Sequence, residues 1–455
     1  MKIIQNLKNY LTINPLNMQI TGNISGLRLF HTGILLLAAA PSISFLLLII
    51  SSIVGGLERK ENYFNDKYNL PFLLASVLMI INCIFINIRA ELINNQDPSL
   101  AWIGLLNWIP FFWCFWSFQK FLVTKKLRSD TAKLFLIGSF PVLISGFCQY
   151  FLGLYGPYRF LNNLIIWYQR PLNENEFGQS AVTGLFNNPN YAGAWLAIIF
   201  PICLGFFLKK NKNILFKYSY FLIIIFFIAM IILTTSRSAI IAILLSYFLF
   251  LRLNKFKIFS LLITLLLMFG AYKYLLLMNI DIEALSNEFL PTEIYNKFST
   301  FNLSNLSSFP RIDIWSKTLV LISKNIFFGY GAGSFSNVYE SLSGLINEYG
   351  TFGGIQHTHN IFLELAFNHG IIVSILILYP MISLLIGVSK KLLTYGKKEY
   401  FSLIEKAWII SFASFLLIHI FDITYFDGRI SLLCWILLAG LRTMAKKEIA
   451  DHNSL

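Results

Sequence analysis

The chain has 455 residues, of which 56% are hydrophobic and only 13% are charged. Soluble domains carry about 25% charged residues, and no single soluble core could hide this much apolar surface. We attribute the net charge of +14 to Lys and Arg in cytoplasmic loops, because no basic helix with interleaved aromatics indicates nucleic-acid binding. The five cysteines lie inside apolar segments and are not spaced as a disulfide framework or a zinc site. The composition therefore predicts a polytopic membrane protein.

Apolar runs of about 20 residues mark the membrane spans. They predict an all-α transmembrane helix bundle of about 11 or 12 spans. The candidate spans are 29–54, 70–89, 101–123, 133–152, 190–208, 217–234, 237–252, 256–278, 360–388, 406–424 and 429–444.

Pro41 leaves the first span open to two interpretations, because a proline either kinks one tilted helix or divides two short ones. Eleven spans with a cytoplasmic C-terminus would place the N-terminus outside, although the N-terminal segment is basic. Division at Pro41 would bring both termini inside. However, about 13 residues per pass reach only about 20 Å, which is short of a ~30 Å hydrocarbon core.

Basic clusters predict which loops face the cytoplasm. With the clusters at 120–133, 209–217 and 390–406 inside, the long loops 153–189 and 279–358 are external. The second external loop is acidic and too long for a plain connector.

Apolar residues in the 279–358 loop recur at steps of three and four: Ile312, Trp315, Leu319 and Ile322. This spacing predicts an amphipathic helix on the membrane surface or under the bundle. The order of spans and loops predicts three parts of the chain. They are an N-terminal transmembrane unit with an external amphipathic loop at 1–183, a membrane domain at 184–445 that includes the 279–358 loop, and a cytoplasmic tail at 446–455.

His359 lies where the external loop re-enters a membrane helix, in the motif His357-Thr358-His359-Asn360. A histidine at this place can accept a proton from a substrate hydroxyl. Alternatively, His359 only begins the helix and bonds its own backbone. His357 and His359 also supply half of a metal ligand set, but no further ligands are evident, so no metal site is predicted.

Two arginines are candidates for anion binding. Arg311 opens the amphipathic stretch and is followed by Gly329, Gly331 and Gly333, which would let backbone amides approach a phosphate. Alternatively, the glycines form an ordinary turn, and Arg311 forms a surface ion pair with Asp313. Arg237 lies at the external end of a span, where an arginine is either functional or extends to the interface.

Two further segments lie at external span ends. Asn190, in Asn188-Pro189-Asn190, is predicted as an N-cap or turn residue. Around the last external turn, Asp427 and Arg429 either pair with each other or orient the loop chemistry from below, together with His419 and Asp422.

In this order along the chain, from about residue 184 to about 441, the motifs resemble the O-antigen ligase/polymerase superfamily. The matching features are Asn187-Pro189-Asn190, Ser236-Arg237, Arg311 through Gly333, His359-Asn360 followed by nine residues and Gly370, and Asp427 to Trp435.

The resemblance implies a membrane glycosyltransferase of the inner membrane. Such enzymes take a glycan from undecaprenyl diphosphate at the periplasmic face and pass it to an acceptor hydroxyl of a glycolipid or glycan, without metal, nucleotide or cofactor. It implies that Arg237 and Arg311 neutralise the leaving diphosphate and that His359 is the base toward, or positioner of, the acceptor hydroxyl. Further implied substrate-binding residues are Asn360, Gly329, Gly331, Gly333, Asn190 and Arg429.

The same superfamily has a branch labelled as bicarbonate transporters, which the Asn187-Pro189-Asn190 and Gln356 to Asn360 stretches also resemble. A bicarbonate or other small-solute transporter is therefore the alternative function. Transporters place ionisable residues near the bilayer midplane and have modest loops. This chain has little charge inside its spans and one dominant external loop, which favours the enzyme.

Overall fold

The structure is a computed structural model that describes residues 24–59, 61–90, 98–172, 181–209, 213–251, 310–343, 355–395 and 401–446. Its helices are α1 (Ile24–Leu36), α2 (Pro41–Leu57), α3 (Asn69–Ala90), α4 (Pro98–Leu105), α5 (Ile109–Ser117), α6 (Lys125–Gly138), α7 (Phe140–Leu152), α8 (Pro189–Leu208), α9 (Ile214–Leu233), α10 (Arg237–Leu251), α11 (Pro310–Lys324), α12 (Phe335–Ser343), α13 (Ile361–His369), α14 (Ile371–Tyr395), α15 (Leu403–Phe421) and α16 (Gly428–Lys446).

The prediction of an all-α transmembrane bundle is confirmed, with eight helical segments of the described chain long and apolar enough to cross a membrane. The helices α3, α8, α9, α10, α15 and α16 begin and end within three residues of the predicted spans. The predicted span 256–278 lies outside the described residues, as do most of the 279–358 loop and nearly all of the C-terminal tail.

Three predicted spans besides the first are interrupted. The span predicted at 101–123 consists of α4, α5 and a short 3-10 turn, and the span predicted at 133–152 begins eight residues earlier as α6 and continues as α7. The span predicted at 360–388 breaks at Gly370, whose φ of +84° ends α13 before α14 begins. Apolar composition reports membrane burial but not backbone continuity, so sequence alone did not reveal these breaks.

Pro41 divides the first predicted span into two antiparallel helices. Ser44 Oγ donates to the Gly33 carbonyl at 2.6 Å, and Ser51 Oγ donates to the Gly26 carbonyl at 3.2 Å. The proline occupies the first position of α2, where its missing N–H costs nothing. Within the described residues, the first predicted span therefore consists of two helices of 13 and 17 residues.

The core of the bundle lies around α8, whose residues 192–206 are all buried. Helices α9, α10 and α15 pack against it. Small residues permit close approach: a Cβ on Gly205 would lie 2.9 Å from Cβ of Ala407, and one on Gly440 would lie 2.6 Å from the Trp408 ring. Helices in a membrane associate through such close packing, because lipid offers no hydrophobic drive between them.

Charged side chains collect at one end of the bundle, here called the basic end. Arg128 of α6 pairs with Glu405 of α15, and both side chains are 1% exposed. Arg442 of α16 contacts Asp66 at 2.9 Å, and Lys120 contacts Glu58 at 2.5 Å. These pairs bring together the helix ends that the basic clusters predicted to share one side.

The opposite end, here called the loop end, carries the predicted external loops. The first contains a hairpin of strands β1 (Tyr158–Phe160) and β2 (Ile165–Trp167), paired in antiparallel register with Tyr158 opposite Trp167. Trp167 Nε1 donates to the Ala39 carbonyl at 2.7 Å and so attaches the hairpin to the α1–α2 turn.

The amphipathic helix predicted in the second loop exists as α11, and the side that it packs on protein runs through Ile314. Ile314, Leu321 and Ile322 are buried, whereas Ile312 and Leu319 are 39% and 56% exposed. Ile322 of the predicted face therefore packs on protein, and the placement of Ile312 and Leu319 on the membrane surface stays a prediction. Because α11 packs on α13 and α12, the neighbouring helices select the buried face, and the apolar spacing of α11 allowed two choices.

Candidate functional site

A short strap, residues 355–360, leads into α13 and carries both motif histidines. Asn360 is the N-cap of α13: its Oδ1 accepts from the backbone N–H groups of Phe362 and Leu363 at 2.9 and 3.1 Å. Its Nδ2 donates to the Ile420 carbonyl at 3.0 Å, which connects the strap to the end of α15. The Asn360 amide therefore fixes where the strap sits, and substrate binding by this residue remains a prediction.

His359 points across the strap to Asp422. Its Nδ1 lies 3.1 Å from Oδ1 of Asp422, and its φ of +53° places the backbone in the left-handed region. A carboxylate at Nδ1 favours the tautomer in which Nδ1 carries the proton and Nε2 keeps a lone pair. The ring is thus oriented by another helix end and is not bonded to its own backbone, which favours the predicted base over the helix-start alternative.

Asp422 lies directly after α15 and its side chain is only 6% exposed. Burial by itself would raise the pKa of this carboxyl, but the hydrogen bond from His359 and the charge of Arg311 hold the pKa below its ordinary value. Arg311 Nη2 lies 4.0 Å from Oδ2 of Asp422. Asp422 is therefore an ionised carboxylate shared by a histidine and an arginine.

His357 packs edge-on against His359, with ring centroids 4.2 Å apart. Burial, followed by the charges of His359 and Arg311, lowers the pKa of His357 to about 4, against the opposing effect of Asp422. His357 is therefore neutral at pH 7 and supplies shape rather than charge beside His359.

Arg311 and Arg237 lie on different helices of the loop end. Arg311 lies in the first turn of α11 with its side chain 40% exposed, and Arg237 begins α10 as an exposed residue. The charge of Arg311 acts on the guanidinium of Arg237, so the two side chains lie within electrostatic range of each other. The turn before Arg237 packs against Gly193 of α8, where a Cβ would lie 2.8 Å from Cβ of Ser236. Two like charges held together in this way create a positive potential that suits an anionic ligand.

The glycine loop after α11 packs on the C-terminal end of α13. Gly329, Gly331 and Gly333 have φ values of +65°, +89° and +79°, and a Cβ on Gly329 would lie 2.6 Å from the Phe367 carbonyl oxygen. The N–H groups of Tyr330 and Gly331 donate to the Phe367 and Asn368 carbonyls at 2.8 and 2.9 Å. These two amides are therefore engaged by protein, so packing explains the first two glycines without a phosphate.

Arg429 pairs with Asp427 through two hydrogen bonds, Nε to Oδ1 at 2.8 Å and Nη2 to Oδ2 at 2.5 Å. Its guanidinium stacks 3.7 Å from the centroid of Phe186 and donates to the Leu185 carbonyl at 3.3 Å. The Arg429 side chain therefore holds the 181–188 loop on the start of α16. Its pairing with Asp427 is one of the two options that the sequence left open.

Asn190 is not the cap of α8. Asn188 is the N-cap, its Oδ1 accepting from the Asn190 N–H at 2.8 Å, and Pro189 follows as the first helical residue. The run of Asn, Pro and Asn allowed either assignment, and the backbone conformation decides for Asn188. The neighbouring Tyr191 is close enough to Asp422 and Asp427 to interact with their charges.

The loop end thus combines a histidine that can take a proton, an ionised carboxylate that orients it, and two arginines. Within the described ranges, no group of three or more His, Cys, Asp or Glu side chains could hold a metal ion. Sequence reasoning identified His359, Arg311 and Arg237 but left Asp422 in a crowd of four residues. Its signal was a carboxylate at the external end of the predicted span 406–424.

Fold and site together define a multi-pass helical membrane protein with a charged centre at one end of its bundle. Residues 221–378 match the family model described as O-antigen ligase, and this segment contains Arg237, Arg311 and His359. The match confirms the superfamily resemblance that the motifs predicted and supports a glycan-transferring function at a membrane. The chain has no significant match among curated proteins.

Proposed function

We propose that the protein moves a glycan from undecaprenyl diphosphate to an acceptor hydroxyl, at the periplasmic face of the inner membrane. The observation that carries the proposal is the pairing of His359 with buried Asp422 beside Arg311 and Arg237. A general base and a positive site for a leaving diphosphate are the two requirements of this transfer.

In the proposed reaction, the acceptor hydroxyl oxygen attacks the anomeric carbon of the donor glycan. Nε2 of His359 takes the hydroxyl proton, and the Asp422 carboxylate stabilises the imidazolium that results. The bond between the anomeric carbon and the diphosphate oxygen breaks as the new glycosidic bond forms. The electron pair leaves with undecaprenyl diphosphate, whose charge Arg311 and Arg237 neutralise. The proton is later released from His359 to water.

The acceptor decides between two versions of this function. A ligase passes a finished polysaccharide to a glycolipid, whereas a polymerase joins one lipid-linked repeat to another. Both versions use a lipid-linked donor of the same class and the same groups of the loop end.

The test is a gel of surface glycolipids from a strain that lacks the protein, complemented by wild type, His359→Ala or the control His31→Gln. His31 lies within α1 and has no part in the site. We expect His359→Ala to abolish long-chain glycolipid and to cause lipid-linked glycan to accumulate, while His31→Gln behaves as wild type. Accumulated complete chains indicate a ligase, and a single capped repeat indicates a polymerase.

Unchanged glycolipid in every strain contradicts transfer to lipopolysaccharide. The next measurements are then other acceptors and uptake of labelled bicarbonate into reconstituted vesicles. Uptake that persists in His359→Ala would favour the transporter.

A further inference from the structure

Thr358, between the two histidines of the strap, has all of its polar groups engaged by protein. It is fully buried. Its N–H donates to Oε2 of Glu364 at 3.0 Å, and its carbonyl accepts from Nε1 of Trp315 at 3.0 Å. Its hydroxyl donates to the Asn360 carbonyl at 2.8 Å. The residue that precedes His359 is therefore held from two sides by different helices.

Glu364 is an unusual group to find in this position, since its side chain is buried in the first turn of α13. Its second carboxylate oxygen accepts from Nδ2 of Asn368 at 2.9 Å. A buried carboxylate is costly unless its oxygens are hydrogen-bonded, and here the bonds come from an amide side chain and the strap backbone. Its place is thus explained by what it holds, which is the backbone of Thr358.

Trp315 connects the strap to the helix that carries Arg311. The two residues are four positions apart on α11 and so lie on the same face. The indole N–H of Trp315 donates to the carbonyl of Thr358, the residue before His359. This hydrogen bond fixes the distance between the helix that carries Arg311 and the strap. The arginine and the histidine are therefore positioned by one shared contact.

We propose that Glu364 and Trp315 are positioning residues for His359, which hold Thr358 between them and so keep the His359 ring directed at Asp422. This inference rests on the proposed function. His359 needs such support because its left-handed backbone is one that L residues rarely adopt and that persists only where the surroundings impose it.

The test measures kcat and KM of purified protein in nanodiscs. The donor is the lipid-linked glycan that accumulates in the strain lacking the protein, and the acceptor is the glycolipid fraction of that strain. We expect Trp315→Phe and Glu364→Ala to lower kcat about tenfold or more, as loss of a group that orients a functional histidine does at metal sites. The KM for the donor should stay within about twofold, because neither residue is proposed to touch substrate.

Glu364→Gln is the conservative variant that separates positioning from charge. Its amide oxygen can still accept from the Thr358 N–H. Its new N–H₂ can donate to Oδ1 of Asn368 after that amide flips, and this oxygen has no partner in the structure. We therefore expect Glu364→Gln to retain at least about a third of wild-type kcat.

The matched controls are Trp113→Phe and Glu340→Gln, an exposed tryptophan of α5 and an exposed carboxylate of α12. Both should behave as wild type. Wild-type kcat in Trp315→Phe and Glu364→Ala overturns the proposal, as does a raised KM at unchanged kcat, or Glu364→Gln as inactive as Glu364→Ala. If Glu364→Ala does not fold, judged by size exclusion, Trp315→Phe decides.

The outcome for His359→Ala separates this inference from the proposed function. An inactive His359→Ala together with fully active Trp315→Phe and Glu364→Ala refutes the positioning role alone. An active His359→Ala refutes the proposed chemistry itself.

Discussion

Asp422→Asn is the change that most directly probes the charged centre. It keeps the shape of the side chain but removes the negative charge that His359 and Arg311 share, at 3.1 and 4.0 Å. A hydrogen bond to a charged group contributes about 1.5–3 kcal/mol. The contact with Arg311, whose side chain is 40% exposed, is screened by solvent and adds at most about 1 kcal/mol.

Together these contributions amount to about 1.5–4 kcal/mol, which corresponds to a loss of about 10- to 700-fold in the rate of transfer, at 1.4 kcal/mol per tenfold. An asparagine amide that donates to Nδ1 would also stabilise the wrong histidine tautomer and move the loss toward the upper limit.

The assay is glycan transfer by purified protein in nanodiscs, with Asp313→Asn as the control. Asp313 is an exposed carboxylate on α11 that pairs with Lys317 at 2.8 Å, a kind of contact worth little. We expect Asp313→Asn to retain activity within about twofold. Transfer by Asp422→Asn within about threefold of wild type, alongside an inactive His359→Ala, would refute the role assigned to the carboxylate.

Three further predictions follow from other contacts. Arg311→Lys should lose at least about tenfold in transfer, because a lysine cannot reproduce the planar fork that binds phosphate oxygens, and the same assay measures it. Glu405→Gln should destabilise the protein by about 3–5 kcal/mol, because it leaves Arg128 buried without its countercharge. A melting curve in detergent measures this loss, and an unchanged midpoint would contradict it. The pKa of His357 is lowered from 6.5 to about 4, chiefly by burial. The unfolded chain therefore binds a proton that the folded chain does not in that range, and stability falls as the pH drops through it. Between pH 7 and pH 5, the melting temperature of His357→Gln should fall less than that of wild type. An equal fall in both proteins would contradict the lowered pKa of His357.

Most of the helical layout could be predicted, because a span must present about 20 apolar residues to lipid whatever its neighbours are. The charged candidates could be found for the same reason, since an arginine or histidine at a span end is rare enough to be informative. His359 and Arg237 were proposed in this way and Arg311 from the amphipathic loop stretch that it opens, and the structure brings His359 and Arg311 to one carboxylate.

Local patterns were ambiguous wherever two arrangements obeyed the same rules. Pro41 could kink one helix or separate two, and the hydrogen bond from Ser44 to Gly33 decides for two. The apolar residues of α11 could be grouped into two different faces, and the face through Ile314 is the one that packs on α13.

What the sequence by itself determined is the membrane class, the span positions and the residue types available at the loop end. Only the tertiary structure decided that Asp422 is the partner of His359, that Arg429 is paired with Asp427, and that Thr358 is held between two helices. The physical reason is that bilayer insertion selects each span by its own composition. A pairing across 63 residues depends on how α13 and α15 pack, which no local pattern encodes.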